Sequence, residues 1–323
     1  MWIGLTCLSF LALLPTLVVT DAYLASDDIL LSEGQALRND PNTAWPTDRS
    51  IAYFFDGIAI DKQEKIRKGF EFWEKHTCLR FQENGWNTPR IRVYKGGDCS
   101  SEIGRNPNST TQRLSLDNDC ERFGIATHEI AHTLGIHHQQ NRYDRDQYVT
   151  INWFNINQYK DKAELNFKAL SYQETDNYGV PYDYGSVLHY GALDFCKNLD
   201  INVITARDPL YQSTMGQRIQ PSFYDILLVN KRYNCLPRCP NFYCANNGYR
   251  NPANCNECVC PWGFGGQLCD KRDPGRNNSA TCGEDIEAGP HFATLRATLG
   301  PSMLSKPKAS IHDHCHWHIK ADL

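Results

Sequence analysis

Beyond its first twenty residues the chain lacks any apolar run long enough to span a bilayer, and it lacks a strong excess of either charge. Its 33 Lys and Arg residues face 37 Asp and Glu residues, which leaves a net charge of −4. This balance does not suit nucleic acid or an anionic membrane as the main partner, so we expect neither. The 323 residues, of which 41% are hydrophobic, instead indicate a globular chain of about two domains.

The first twenty residues form an apolar leader. Residues 2–19 are nearly all apolar, which is typical of a secretory signal peptide, so we expect residues 1–20 to be removed. A membrane anchor is the alternative, although the run is short for a span and no stop-transfer charges follow it. The polar residues 21–38 are typical of a pro-segment cleaved after Arg38. The sequence therefore predicts a secreted, extracellular protein.

Fourteen cysteines are the unusual feature of the composition. Their density rises after Asn234, which indicates a disulfide-built segment attached to a larger domain. If Cys7 leaves with the leader, an odd number remains, so one thiol either stays reduced or pairs between chains. Two sequons, at Asn108 and Asn277, predict glycosylation sites that fit the same compartment.

Apolar spacing predicts a mixture of helices and strands. Ile66, Phe70 and Trp73 lie at helical spacing and predict a helix over residues 62–75 with one buried face. Alternating runs predict strands, and further helical spacings predict two more helices. The predicted strands cover residues 50–55, 90–94 and 113–116, and the further helices cover residues 122–134 and 222–233. Residues 146–212 are predicted to be mostly loop.

One motif carries the chemistry. His128 and His132 are four residues apart, so on a helix they face the same side and can bind one Zn²⁺. Glu129 can lie beside a water at the metal and take its proton. Gly135 permits a sharp turn, because glycine adopts a positive φ without penalty, and His138 can then return as the third ligand. Three protein ligands leave one position open, as a catalytic zinc requires.

The spacing of these five residues is H-E-x-x-H-x-x-G-x-x-H, so the segment resembles the metzincin metallopeptidases. A surface helix with incidental histidines is the competing interpretation. The glycine and the third histidine argue against it, because a lone H-E-x-x-H is a weak signal and the extended pattern is not. His137, inside the motif, is interpreted as an exposed neighbour of the third ligand.

The residues after the third histidine resemble the astacin family. Arg142, Asp144, Arg145 and Asp146 match its pattern E-x-x-R-x-D-R-D, whereas Gln139 stands where the pattern has Glu. In astacins that Glu holds the amino terminus freed by activation. Gln can hydrogen-bond an ammonium but forms no ion pair, so the resemblance implies a weaker lock and unchanged zinc chemistry. A matrixin or an adamalysin would fit the zinc motif but not this run.

A second segment, residues 184–190, resembles the S-x-M-H-Y turn of astacins. Leu188 replaces the Met beneath the zinc, a swap that roughly conserves apolar volume. Tyr190 is retained, and by resemblance it is a switchable zinc ligand that stabilises the tetrahedral intermediate. An ordinary core tyrosine is the alternative. His189 is expected to be structural.

The resemblance also implies the fold of the catalytic domain. It implies an α+β, two-lobed metzincin domain over residues 39–235, with a twisted mixed sheet and a zinc helix. By the family pattern Cys78 pairs with Cys235, and Cys99 pairs with Cys120.

Two further residues take a role only by resemblance. Arg218 matches the position that places an Arg in the S1′ pocket of several astacins, where it would favour an acidic residue after the scissile bond. A solvated surface Arg is the alternative. Asp28 matches the pro-segment Asp that occupies the zinc in astacin proforms, and a surface carboxylate in a flexible leader is the competing account.

The cysteine-rich tail resembles two smaller modules. Residues 239–269 resemble an EGF-like β module, which offers a surface for an extracellular protein partner. The pairs implied by that resemblance are Cys239–Cys255, Cys244–Cys258 and Cys260–Cys269. Residues 282–323 resemble the truncated start of a CUB domain, with a Cys282–Cys315 pair and a solvated histidine face on its last strand. Cys196 is then the cysteine left over.

These patterns together predict a secreted, zinc-dependent endopeptidase of the astacin type, made as a proenzyme and acting on proteins or peptides. An extended substrate would lie along an edge strand across the zinc cleft. The alternative is an idle binding or matrix protein on a protease scaffold, which the departures at Gln139 and Leu188 suggest. The intact ligands, Glu129 and Tyr190 favour the enzyme.

Overall fold

The computed structural model describes residues 27–29, 41–117, 119–157, 163–240, 243–275, 283–289, 294 and 315–320. The predicted leader, most of the predicted pro-segment, Asn277 and Cys282 lie outside these ranges. Among the described helices, none combines the length and the apolar character needed to cross a membrane.

A six-stranded mixed sheet forms the first layer of the described structure. Its strands are β1 (Asp27–Ile29), β2 (Ile51–Asp56), β3 (Phe81–Glu83), β4 (Arg90–Tyr94), β5 (Cys99–Ser101) and β6 (Thr111–Leu116). They stand in the order β1-β5-β6-β4-β2-β3, and only the β5–β6 pair is antiparallel. The predicted mixed sheet is therefore confirmed. β1 comes from the predicted pro-segment and covers the edge of β5.

Two helices, α1 (Ile60–His76) and α2 (Phe123–Thr133), pack against this sheet. Ile66, Phe70 and Trp73 of α1 are buried, as their spacing predicts. Burial of each such side chain stabilises the fold by roughly 1.5–3 kcal/mol. The indole Nε1 of Trp73 also donates a hydrogen bond to the carbonyl of Thr127, at 3.1 Å, and so fixes α1 against α2. Most of α2 is buried, so it is a core helix rather than a surface helix.

A second hydrophobic cluster lies beyond the sheet. It contains residues of the antiparallel pair β7 (Val149–Ile151) and β8 (Ile204–Ala206). It also contains the buried Phe167, which follows directly after the short helix α3 (Ala163–Asn166). Val187 and Leu188 belong to the first cluster, and Tyr190 belongs to the second. The chain between them therefore crosses from one lobe to the other.

Helix α4 (Phe223–Arg232) closes this part of the chain. Ser222 caps it by accepting a hydrogen bond from the backbone N–H of Asp225, while Asp225 accepts one from the N–H of Ser222. This capping box satisfies two N–H groups that the first turn of a helix leaves without partners. A disulfide joins Cys235, just after α4, to Cys78, and a second joins Cys99 to Cys120.

The tail is a set of short strands held by disulfides. The strands are β9 (Tyr249–Asn251), β10 (Asn254–Val259), β11 (Phe264–Gly265), β12 (Lys271–Arg272), β13 (Asp285–Glu287) and β14 (His318–Lys320). The disulfides are Cys239–Cys255, Cys244–Cys258 and Cys260–Cys269. Cys315 is also disulfide-bonded, and Cys282, its expected partner, lies outside the described residues. The assignments to EGF-like and CUB-like modules stay predictions.

The expected solvated histidine face of the last strand is wrong. His316 and His318 are half-buried, and the ring of His318 lies 4.8 Å from that of Phe264. Ile319, expected on the covered face, is 62% exposed. The reason is that His316 and, in β14, His318 face the disulfide-rich segment, where Nε2 of His318 lies 2.8 Å from the carbonyl oxygen of Gly263.

Candidate metal centre

The two histidines of α2 point into the space between the lobes. His128 and His132 are both buried, and their Nε2 atoms lie 3.0 Å apart. Their other ring nitrogens are held by main-chain carbonyls, His128 by Val187 at 2.7 Å and His132 by Ile136 at 2.6 Å. A carbonyl only accepts, so both Nδ1 atoms carry the proton and both Nε2 lone pairs are available to a metal.

A glycine turn brings the third histidine to the same point. Gly135 has φ +89°, a left-handed conformation that glycine adopts without strain. A Cβ there would also lie 2.5 Å from the guanidinium of Arg232, so a larger residue would have to displace that side chain. After this turn the Nε2 of His138 lies 3.1 Å from that of His132 and 3.3 Å from that of His128.

The three imidazoles fit a zinc ion. Nitrogens that bind zinc tetrahedrally at about 2.0–2.1 Å stand roughly 3.3 Å apart, close to the observed separations. Burial lowers the pKa of all three histidines, to about 3 for His132, and the positive charge of Arg218 lowers each of them further. Neutral rings with converging lone pairs in a buried site are the donor set that a zinc ion requires.

Glu129 lies beside this cluster. Its carboxylate is buried, and Oε1 is 4.0 Å from Nε2 of His128. That distance is too long for a hydrogen bond to the ring and leaves the carboxylate next to the metal position rather than on it. This position beside the three histidines is compatible with the predicted role of Glu129 as a general base.

The turn that carries Tyr190 closes the other side of the site. The ring of Tyr190 is 1% exposed, and its centroid lies 4.5 Å from that of His138. Leu188 is buried in the first cluster, as expected for the residue that replaces Met. His189 is structural in its contacts, because Nδ1 donates to the carbonyl of Tyr190 and Nε2 accepts from the Tyr182 hydroxyl.

Arg218 reaches the same region from a different segment. It is half-buried and donates a hydrogen bond from Nη1 to the carbonyl of His189, at 2.9 Å. The backbone around it packs so closely on α2 that a Cβ at Gly124 would collide with the Arg218 carbonyl. The alternative interpretation of Arg218 as a solvated surface residue therefore does not agree with its position.

The expectation for His137 is wrong. It is half-buried rather than exposed, and burial together with the nearby Arg232 lowers its pKa to about 4. The reason is the Gly135 turn, which folds the motif back against α4. Gln139 is also buried, and its backbone N–H donates to the carbonyl of Leu188 at 3.0 Å.

The charged run after the third ligand has a structural role. Arg142 makes two hydrogen bonds to the carboxylate of Asp144, at 2.9 and 2.8 Å. Arg145 is buried and donates to the carbonyls of Gln140 and Phe167, while its Nε pairs with Asp146. These contacts join the third ligand's loop to the second lobe.

The other predicted site residues are spread over the molecule. Asn108 is exposed in a turn, so the sequon is accessible. The backbone of Asp28 pairs with Ser100 in β1, and its side chain is outside the description. Cys196 remains a thiol, is half-buried, and lies beside Tyr190's cluster.

Sequence reasoning missed Asp225. It is buried, and burial together with the neighbouring Asp183 carboxylate raises its pKa to about 6. Its Oδ2 accepts a hydrogen bond from the N–H of Val187, the residue that holds His128. The signal that could have found it is the S-x-x-D spacing of Ser222 and Asp225 at the start of a predicted helix.

Comparisons with known proteins agree with this geometry. A family model described as Astacin (Peptidase family M12A) matches residues 37–234. Zinc metalloproteinase nas-31 of Caenorhabditis elegans is 37% identical over 325 residues, which cover 94% of this chain and 50% of that protein. Zinc metalloproteinase nas-27 of the same organism is 33% identical over 316 residues, 95% of this chain and 73% of that protein. The chain thus spans about half the length of the first of these relatives.

A solved structure shares the fold. High choriolytic enzyme 1 of Oryzias latipes, a hatching enzyme zinc-protease, is 34% identical and superposes with a TM-score of 0.52. The match covers 57% of this chain and 89% of that structure.

Proposed function

Because the chain belongs to the astacin family, peptidase family M12A, we propose that it is a secreted, zinc-dependent endopeptidase made as a proenzyme. The observation that carries the proposal is the convergence of three neutral, buried imidazoles with a carboxylate beside them. A structural zinc site would fill all four positions with protein ligands, whereas this one leaves a position for water and substrate.

The chemistry follows from the positions of the side chains. His128, His132 and His138 would hold the zinc ion, which when bound would supply Lewis-acid polarisation of the scissile carbonyl. Glu129 takes the proton of the attacking water and returns it to the leaving amine. The Tyr190 ring lies against His138, beside the metal position, and its hydroxyl would donate a hydrogen bond to the developing oxyanion.

The sheet edge supports both the substrate and the proenzyme proposals. An extended peptide would pair with the edge strand β5, next to the zinc helix. In this chain β1, from the predicted pro-segment, already pairs with β5 in parallel register from Asp27–Cys99 to Ile29–Ser101. An occupied edge strand cannot accept a second peptide backbone, so this pairing favours latency before cleavage after Arg38. Asp28, in the middle of β1, stays the proposed latency residue.

Three further features belong to the same proposal. Arg218 would pair with an acidic residue that follows the scissile bond. The disulfide-rich segment 239–269 would bind an extracellular protein, and Asn108 would carry a glycan. The substrates are proteins or peptides.

The test is Glu129→Gln in the chain cut after Arg38. We expect bound zinc at the wild-type level by elemental analysis and a fall in peptide hydrolysis of at least about a hundredfold, because the amide cannot accept the proton. Glu64→Gln, an exposed substitution on α1, is the matched control and should keep full activity. Undiminished hydrolysis by the Glu129 variant would defeat the proposal. Zinc binding by the wild type without hydrolysis of any peptide would support an idle scaffold instead.

A further inference from the structure

A carboxylate that is distant in sequence lies behind the first zinc ligand. Asp225 is the third residue of α4 and is 4% exposed. A capping box needs this carboxylate only to accept the N–H of the cap residue, here Ser222 at 2.9 Å. Asp225 accepts two more hydrogen bonds, from the Ser186 hydroxyl at 2.6 Å and from the Val187 N–H at 2.9 Å. Both of these donors belong to the turn that leads to Tyr190.

The turn connects Asp225 to the metal centre through hydrogen bonds. Asp225 accepts the N–H of Val187, and the carbonyl of the same residue accepts the Nδ1–H of His128 at 2.7 Å. Ser186 tightens the same turn, because its hydroxyl oxygen accepts the N–H of Leu188 at 3.0 Å while it donates to Asp225. Two short hydrogen bonds therefore connect the carboxylate, through Val187, to the ring of His128.

A second carboxylate braces the first. Asp183 accepts hydrogen bonds from the Ser222 hydroxyl and from the N–H of Gly185. Ser222 in turn accepts the N–H of Asp225 at 3.0 Å. Ser222 thus joins the start of α4 to the start of the turn, because it hydrogen-bonds both Asp225 and Asp183.

We propose that Asp225 is a positioning residue for the zinc site, acting through Val187 to hold the imidazole of His128. The proposal rests on the proposed function only in that the three histidines bind zinc. Groups that orient a zinc ligand from behind typically change metal affinity about 10- to 100-fold when they are removed. Both hydrogen bonds of Val187 use its main-chain N–H and carbonyl, so a substitution of the Val187 side chain would not remove them.

The experiment compares zinc affinity in two variants of the full chain, by competition with a chelator. Asp225→Asn keeps the shape but exchanges one acceptor oxygen for an NH₂ group, so we expect zinc to bind about 10- to 100-fold more weakly. Ser222→Ala removes the other half of the capping box and leaves the Asp225–Val187 contact, so its zinc affinity should stay within about twofold of wild type. Loss of a helix cap lowers the free energy of unfolding, so both variants should melt at a lower temperature than wild type.

Equal zinc affinity in the Asp225 and Ser222 variants would show that Asp225 acts only as a helix cap, and the proposal would be overturned. The visible spectrum of the Co²⁺-loaded chain is a second readout, and we expect it to shift in Asp225→Asn and not in Ser222→Ala. If Asp225→Asn does not fold, Ser186→Ala decides, because it removes one donor to the same carboxylate outside α4. A several-fold loss of zinc affinity supports the proposal, and unchanged affinity overturns it. Failure of the wild type to bind zinc would instead defeat the proposed function.

Discussion

The Nδ1 of His128 lies 2.7 Å from the carbonyl oxygen of Val187, a residue 59 positions further along the chain. This contact joins the zinc helix to the turn that leads to Tyr190. It also fixes the tautomer of His128, since a carbonyl requires the proton on Nδ1 and so leaves Nε2 for the metal. One hydrogen bond therefore fixes both the ring of the first ligand and the start of the turn that leads to the second cluster.

Tyr190→Phe tests the oxyanion role. The substitution removes one hydroxyl from a ring packed between His138, Phe167 and Phe195, so the fold and the zinc content should not change. Loss of one oxyanion donor costs about 10²- to 10³-fold in kcat, and we expect a fall in that range for peptide hydrolysis. Tyr172→Phe, on an exposed ring, is the control. A Tyr190→Phe enzyme with wild-type kcat would restrict Tyr190 to a packing role.

Arg218→Ala tests substrate preference. If the guanidinium pairs with the residue after the scissile bond, the wild type should cleave peptides with Asp or Glu there at least about tenfold faster than those with Asn or Gln. The variant should lose this preference and keep activity on neutral peptides. A peptide library read by mass spectrometry measures both. Arg207→Ala, at an exposed arginine, should leave the profile unchanged, and an acidic preference that survives in the Arg218 variant would exclude the assignment.

Gly135→Ala tests the turn that delivers the third ligand. The added Cβ meets a left-handed φ of +89° and the guanidinium of Arg232, so we expect lower stability, by about 1–3 kcal/mol, and weaker zinc binding. Gly57→Ala is a matched control, since Gly57 has φ +73° but open space around it. This control should lose about 1–2 kcal/mol of folding stability from its left-handed φ and should bind zinc as tightly as wild type. Equal zinc affinities in the two variants would contradict the role of Gly135.

Glu83→Gln tests an ion pair between α1 and the sheet. Hydrogen bonds from Arg67, at 2.7 and 3.0 Å, hold the pKa of Glu83 below its ordinary value of 4.5. A depressed carboxyl pKa stabilises the fold above the unfolded pKa, and this contribution is lost as the pH falls through the lower, folded pKa. The pair is partly exposed, so the variant should lose about 0.5–1 kcal/mol at pH 7.

The measurement for Glu83 is urea unfolding of wild type and variant at neutral pH and below pH 4. The gap between them should be present at neutral pH and shrink in acid. Asp56→Asn, which breaks the more exposed Arg92–Asp56 pair in the same sheet, should change stability less. A gap that grows in acid would have the wrong sign and would exclude this ion pair as its cause.

Local patterns by themselves predict the main helices of this protein, several of its strands and its metal ligands. The spacing of Ile66, Phe70 and Trp73 predicts α1 to within two residues, and alternation predicts β4 over residues 90–94. The histidines at 128, 132 and 138 identify a zinc site because a helix turn and one glycine are enough to bring their side chains close together. Residue types at fixed short spacings contain that information.

The tertiary structure alone decided what surrounds these residues. It half-buries His137, turns His318 of β14 toward the disulfide-rich segment, brings Arg218 near the site, and places β1 on the edge of β5. It also sets Asp225 behind His128, although about a hundred residues separate the two in the sequence. The physical reason is that such contacts depend on which side of a helix or strand meets another lobe, and that is fixed by packing over the whole chain rather than by any short pattern.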